Sequence, residues 1–219
     1  MDCCIKTAVN SKCITNALLH SLLSLGQLYV RISRCSKAAP INLPFMWGVI
    51  SQLDLYPMNI REIDESEFEA IWPIFRPIAR AGETYAFSKD ISESEAKKVW
   101  VDTPRKTFIA EDDGRILGTY YLKTNQAGPG MHVCNCGYMV SSSAQGKGVA
   151  TIMCNHSQQV AKGLGYEAMQ FNYVASSNEG AIRLWLKLGF EVVGRLPRAF
   201  NHPTKGYIDA LVMYKWLET

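Results

Sequence analysis

Gln145-Gly146-Lys147-Gly148-Val149-Ala150 is the stretch of this chain best suited to chemistry on a phosphate. It follows the apolar run Tyr138-Met139-Val140 and leads into a segment with helical spacing. The first N–H groups of a helix have no internal partners, and the positive end of the helix dipole adds to their attraction for an anion. Gly146 and Gly148 let the backbone come close to such a ligand. Lys147 either adds charge to that site or is a solvated turn residue. Alone, the turn reads equally as a tight strand-to-helix connection, so its neighbours must decide. A P-loop would need Ser or Thr after Lys147, where Gly148 stands. A dinucleotide fingerprint would need a third glycine, which is missing.

Two amides stand in apolar strand-like runs close by. Asn135 lies between Cys134 and Cys136 in Val133 to Val140, and Asn172 lies in Ala168 to Val174. A polar amide inside a strand is costly unless it finds a partner. The pair reads as a small polar pocket, or as amides that satisfy irregular backbone. His132 and Cys134 share one strand face, so a thiol–imidazole pair is a further candidate. His202 and Asp209 lie in or after a loop suited to gating such a site.

The elements that must position these residues follow from spacing. Asn59 to Ile63 reads as a strand, and Asp64 with Glu67 as a capped helix start. That helix runs to Phe75, with Pro73 and Pro77 as kinks or ends. A second helix spans Ser92 to Trp100. Lys106 to Glu111 and Ile116 to Lys123 form a hairpin about Asp112-Asp113-Gly114. The strand Val133 to Val140, the helix Val149 to Lys162 and the strand Ala168 to Val174 come next. Asn178 caps a helix ending at Lys187, and Phe190 to Leu196 and Tyr207 to Trp216 close the chain as paired strands. The order β-α-α-β-β-β-α-β-α-β-β predicts an α/β domain whose mixed sheet is mostly antiparallel and flanked by helices.

Composition sets the outer limits. The 219 residues are 47% hydrophobic and 20% charged, enough for one domain with a sizeable core. Residues 1–57 hold five basic and two acidic side chains, leaving 18 of each for the rest. A neutral body offers no basic face for nucleic acid. Seven cysteines without a C-x-x-C pair or clustered histidines give no disulfide framework and no metal site, and point to the cytoplasm. Ile14 to Val30 is too polar for a membrane span. Residues 1–57 read as an N-terminal extension that is flexible or non-essential, and 58–219 as the domain, with Met58 near its functional start.

Four features fall together: the strand ending at Val140, the Gln-Gly-Lys-Gly-Val-Ala turn, Asn178, and Leu188-Gly189-Phe190. Together they resemble the GCN5-related N-acetyltransferases (GNAT), whose signature is (Arg/Gln)-x-x-Gly-x-(Gly/Ala), with Gln145, Gly148 and Ala150 in the defined places. The resemblance covers Met58 to Leu217. It implies acetyl-CoA as cosubstrate, with its pyrophosphate on Gln145, Gly146, Lys147, Gly148, Val149 and Ala150. It implies Asn178 and Ala181 beside the pantetheine arm, and a slot where the fourth and fifth strands splay. Backbone N–H groups near Met139 and Val140 would then polarise the thioester, with Tyr138 of the same run also in the cofactor site.

The chain departs from the family at Trp185, which stands where many members carry a tyrosine acid. Indole cannot protonate a thiolate, so Trp185 is expected to pack against pantetheine or fill core. Gly118-Thr-Tyr-Tyr-Leu-Lys-Thr-Asn125, His132 to Gly137, Phe171-Asn172, Trp185 and Gly194-Arg-Leu-Pro197 are similar to yeast members that acetylate azetidine-2-carboxylate and related proline analogues. That similarity implies Asn135 and Asn172 as the residues positioning a small amine substrate. A homodimer is implied by the family alone. The rival readings are a non-catalytic acyl-CoA sensor and an acetyltransferase of protein amines.

Overall fold

The computed structural model describes residues 58–217, so the expectations for residues 1–57 lie outside the described residues. The strands are β1 (Asn59–Glu62), β2 (Lys106–Asp112), β3 (Arg115–Thr124), β4 (Val133–Val140), β5 (Ala168–Ala175), β6 (Glu191–His202) and β7 (Gly206–Trp216). The helices are α1 (Phe68–Ala81), α2 (Glu93–Lys97), α3 (Val149–Gly163) and α4 (Glu179–Lys187). The strands form one sheet in the order β1-β2-β3-β4-β5-β7-β6. Every neighbouring pair is antiparallel except β4 and β5. The mixed, mostly antiparallel α/β architecture is therefore the one expected.

Period-two alternation sorts the strand side chains onto two faces, and helices cover both. Ile109 and Met139 pack with Phe68, Ile71 and Phe75 of α1 and with Trp100 just after α2. Phe108, Tyr120, Leu122, Cys134 and Cys136 face the other way, against Met153 and Cys154 of α3 and Trp185 of α4. Phe75, Ile71 and Leu122 are fully buried, contributing about 1.5–3 kcal/mol each.

Both predicted helix starts hold. Asp64 accepts from Ser66 N while Glu67 accepts from Asp64 N, and Ser92 and Glu95 form the same reciprocal pair. Three boundaries differ. Helix α1 runs through Pro73 and Pro77 to Ala81 instead of ending there. Both prolines sit on the exposed side, so the carbonyls they leave unpaired stay open to solvent. After Lys97 the second helix widens into a π-turn over Lys98–Asp102. Strand β6 continues past Leu196 to His202, where a loop was expected. A register shift between Leu196 and Phe200 absorbs Pro197, with Arg198 at φ +54°. Asp209 Oδ1 accepts from Arg198 N at 2.8 Å and holds that bulge.

No described helix is long and apolar enough to cross a membrane.

Candidate active site

Strands β4 and β5 pair only at Val133↔Ala168, Cys134↔Met169 and Asn135↔Gln170. Beyond that point each keeps its outer partner, β3 or β7, but the two diverge. The sheet is thus forked, as the expected splay required. A cleft of about 1200 Å³ follows the fork, bounded by α1, the α1–α2 connection, the turn before α3, and α4.

Backbone polarity inside the fork follows from register. Ser141 N donates to Leu117 O, and Asn125 N donates to Val133 O. Antiparallel alternation then turns the amides of Asn135, Gly137 and Met139 toward β3, and those of Cys136, Tyr138 and Val140 toward β5. The Met139 N–H is therefore part of the sheet ladder. The donors that can reach a carbonyl in the fork are those of Tyr138 and Val140. The Tyr138 carbonyl accepts from the Tyr85 hydroxyl at 2.7 Å.

At one end of the cleft lies the glycine turn. Gly146 and Gly148 have φ of +74° and +79°, and a Cβ on either would meet nothing within 4 Å. Their requirement is conformational, and the space beside them is open. No side chain caps α3, so its first N–H groups keep their capacity for an anion. These features fit a pyrophosphate. Gln145, Val149, Ala150 and Thr151 also line the cleft. Lys147 does not; it is an exposed turn residue, the other reading of that position.

Asn178 caps α4 by accepting from Ala181 N at 3.3 Å, and both residues border the cleft. Trp185 is buried. Its ring centroid lies 5.0 Å from that of Tyr138 and 5.1 Å from that of Phe171. It fills core and also lines the cleft.

The amides stand at the crotch of the fork. Asn135 is buried; its Nδ2 donates to Gln170 O at 2.9 Å, and its Oδ1 accepts from the Tyr121 hydroxyl at 3.0 Å. Asn172 is exposed; its Oδ1 accepts from Gln170 Nε2 at 2.8 Å, and its Nδ2 donates to Asn125 Oδ1 at 2.7 Å. Both line the cleft, linked through Gln170 rather than to each other. Asn135 thus satisfies backbone at the splay and belongs to the pocket at once.

Aromatic residues wall the cleft beside the amides. Tyr85 stacks on Phe87 at 5.3 Å and meets Trp100 edge-on, as does Tyr121. Trp100 is itself fixed by donating from Nε1 to Thr119 Oγ1 at 3.1 Å. Burial pushes the Tyr85 and Tyr121 phenols above their ordinary range, so both remain protonated donors near neutral pH. Lys123 Nζ lies 5.3 Å from the Tyr121 ring centroid and also lines the cleft.

The thiol candidates fail. Burial pushes Cys134 up to about 12 and raises Cys136 far above an ordinary thiol, so neither supplies a thiolate. His132 Nδ1 is engaged with Pro129 O. His202 is buried in β6, where its Nδ1 accepts from Thr204 N, and Asp209 holds Arg195 and the Arg198 amide. They build the β6–β7 hairpin rather than a gate.

Sequence reading missed Tyr85, Tyr121, Lys123 and Gln170. Alternation from Thr119 places Tyr121 and Lys123 on the Asn135 face, a signal that was legible. Tyr85 sits in a connection without periodicity and gave none.

The acetyltransferase (GNAT) family model matches residues 59–190. N-acetyltransferase aca1 of Schizosaccharomyces pombe is 35% identical over 100 residues, which cover 44% of this chain and 47% of that protein. The match thus spans about half the length of that curated relative. A GCN5-related N-acetyltransferase from Kribbella flavida is 39% identical at a TM-score of 0.69, covering 73% of this chain and 98% of its own. A GNAT superfamily phosphinothricin acetyltransferase from Sinorhizobium meliloti, solved in complex with acetyl-CoA, shares the fold at a TM-score of 0.65. It is 19% identical, covering 73% of this chain and 88% of its own. With its forked sheet and uncapped glycine turn, this chain belongs to the acetyltransferase (GNAT) family.

Proposed function

We propose that this protein is an acetyl-CoA-dependent N-acetyltransferase acting on the amine of a small molecule, an amino or imino acid such as a proline analogue. The observation that carries the reading is one continuous cleft with an anion-binding helix start at one end and Asn135 and Asn172 at the other. Acetyl-CoA, the family's cosubstrate, supplies an acyl group activated as a thioester.

The chain's own residues then act as follows. The open N–H groups at the start of α3 bind the pyrophosphate. The amides of Tyr138 and Val140 face the fork and donate to the thioester oxygen, where negative charge grows as the amine attacks. The new C–N bond forms as the C–S bond breaks; the amine's proton passes to water, and the departing thiolate takes up a proton to leave as the thiol. Helix α4 offers Trp185 instead of a proton donor. Tyr85, kept protonated by burial, donates its hydroxyl to the Tyr138 carbonyl in the cleft wall. Asn135 and Asn172 orient the acceptor.

The cytoplasm is the proposed compartment, supported by the three cysteines among the described residues, all of them free, buried thiols. A homodimer belongs to the same proposal on the family resemblance.

The test is thiol release from acetyl-CoA against a panel of amino acids, imino acids, simple amines and a peptide. Release with azetidine-2-carboxylate, lost in Asn135→Ala while acetyl-CoA still binds, is the expected result. Binding without release across the panel supports the sensor reading, which Trp185 at the tyrosine's place favours. Release with the peptide alone supports the protein acetyltransferase.

A further inference from the structure

The geometry points to Gln170 as a positioning residue that sets acceptor specificity, by orienting Asn135 and Asn172 so that both offer N–H donors to a carboxylate. This rests on the acceptor reading above. Gln170 does not line the cleft, so it acts through its neighbours. It occupies the last paired position before β5 leaves β4.

Its backbone carbonyl can only accept. The Asn135 amide nitrogen is therefore fixed against it at 2.9 Å, leaving Oδ1 for the Tyr121 hydroxyl at 3.0 Å. Its side chain acts on the other amide. Gln170 Nε2 meets Asn172 Oδ1 at 2.8 Å, turning Asn172 Nδ2 toward Asn125 Oδ1 at 2.7 Å. In both asparagines the oxygen has a protein donor, and each Nδ2 uses one of its two hydrogens. Each amide therefore keeps one N–H for a ligand, beside the second lone pair of its oxygen. Lys123 adds an ammonium to the same wall. Two donors and a cation suit a carboxylate better than a bare ammonium group, which the Lys123 charge repels.

Gln170→Glu inverts this arrangement. A carboxylate only accepts, so Asn172 must rotate its Nδ2 toward residue 170 and move its oxygen to the far side. The new negative charge also opposes an anionic acceptor. Gln170→Met keeps the length of the side chain and removes the donor.

The experiment compares azetidine-2-carboxylate with azetidine, which lacks the carboxylate, in wild type and both variants. Wild type is expected to favour azetidine-2-carboxylate. Gln170→Met should raise its KM about five- to tenfold, the loss of one orienting hydrogen bond, without moving the acetyl-CoA KM or the melting temperature. Gln170→Glu should lower the kcat/KM ratio of azetidine-2-carboxylate to azetidine by about tenfold or more. Because Gln170→Glu also adds a charge, Gln170→Met is expected to lower the same ratio about five- to tenfold, which charge repulsion would not do. Wild-type turnover with both variants within about twofold of it on both measures overturns the inference and leaves the function standing. An equal loss with both acceptors also overturns it. A wild type that acetylates neither compound overturns the inference and the imino-acid reading together.

Discussion

Gly137 has no side chain because Tyr121 occupies the place of one. A Cβ built there would lie 2.6 Å from Tyr121 Cε1 and 3.1 Å from its hydroxyl oxygen. The ring crosses the glycine to reach Asn135. Gly137→Ala must therefore displace the Tyr121 hydroxyl, at about 1–3 kcal/mol of stability. Its expected effect is a higher acceptor KM with an unchanged acetyl-CoA KM; the reverse pattern would contradict Tyr121 as the partner of Asn135. Gly148 gives the opposite expectation. Its φ of +79° disfavours a β-branched residue, while the open space beside it removes any packing reason for glycine. Gly148→Val should raise the acetyl-CoA KM and leave the acceptor KM unmoved, at about 1–3 kcal/mol of backbone strain. An unchanged acetyl-CoA KM would contradict the pyrophosphate assignment. The anion turn was legible because glycine spacing reports backbone conformation directly. The link from Gly137 through Tyr121 to Asn135 was not, because it depends on pairing between β3 and β4.

Elements that carry their own start and stop signals were read from sequence; those shaped by their neighbours were not. The reciprocal caps at Asp64–Glu67 and Ser92–Glu95 are local patterns, and both appear. The continuation of α1 through two prolines is decided by packing of Phe75 and Ala79 beneath them, which no local pattern states. The extension of β6 likewise depends on Asp209, eleven residues beyond the Arg198 amide it holds. The first cap yields a pH prediction. The Arg61 guanidinium, aided by the Asp64 N–H, lowers the Glu67 carboxyl from 4.5 to about 2. A carboxyl depressed in the folded state stabilises the fold above its unfolded value and loses that contribution as pH falls. Glu67 therefore helps fully above pH 4.5, and its effect fades down to about 2. The Glu67 side chain is 34% accessible, so the effect is partly screened by salt. Glu67→Gln should melt below wild type at pH 6, with a gap that closes as pH falls through that window. A gap independent of pH would show that the amide loses packing rather than charge.

At the scale of the whole molecule, charge and chemistry are segregated along the chain. The net charge of +3 is carried by residues 1–57, whereas the remainder holds 18 basic and 18 acidic side chains. The family model begins at residue 59, and every residue assigned a role above lies between Arg61 and Asp209. We propose that residues 58–219 are self-sufficient for folding and catalysis. The sheet supports this, because β1 pairs with β2 from Asn59 onward and Arg61 ties that edge to Glu67 and Glu111. A chain starting at Met58 is expected to keep the melting temperature and both KM values of the full-length protein. Its isoelectric point should fall toward neutrality with the loss of three net positive charges. Retained stability with a raised acceptor KM would assign residues 1–57 to the acceptor end of the cleft. Insolubility of the shortened chain would instead show that β1 needs residues before it to hold the edge of the sheet.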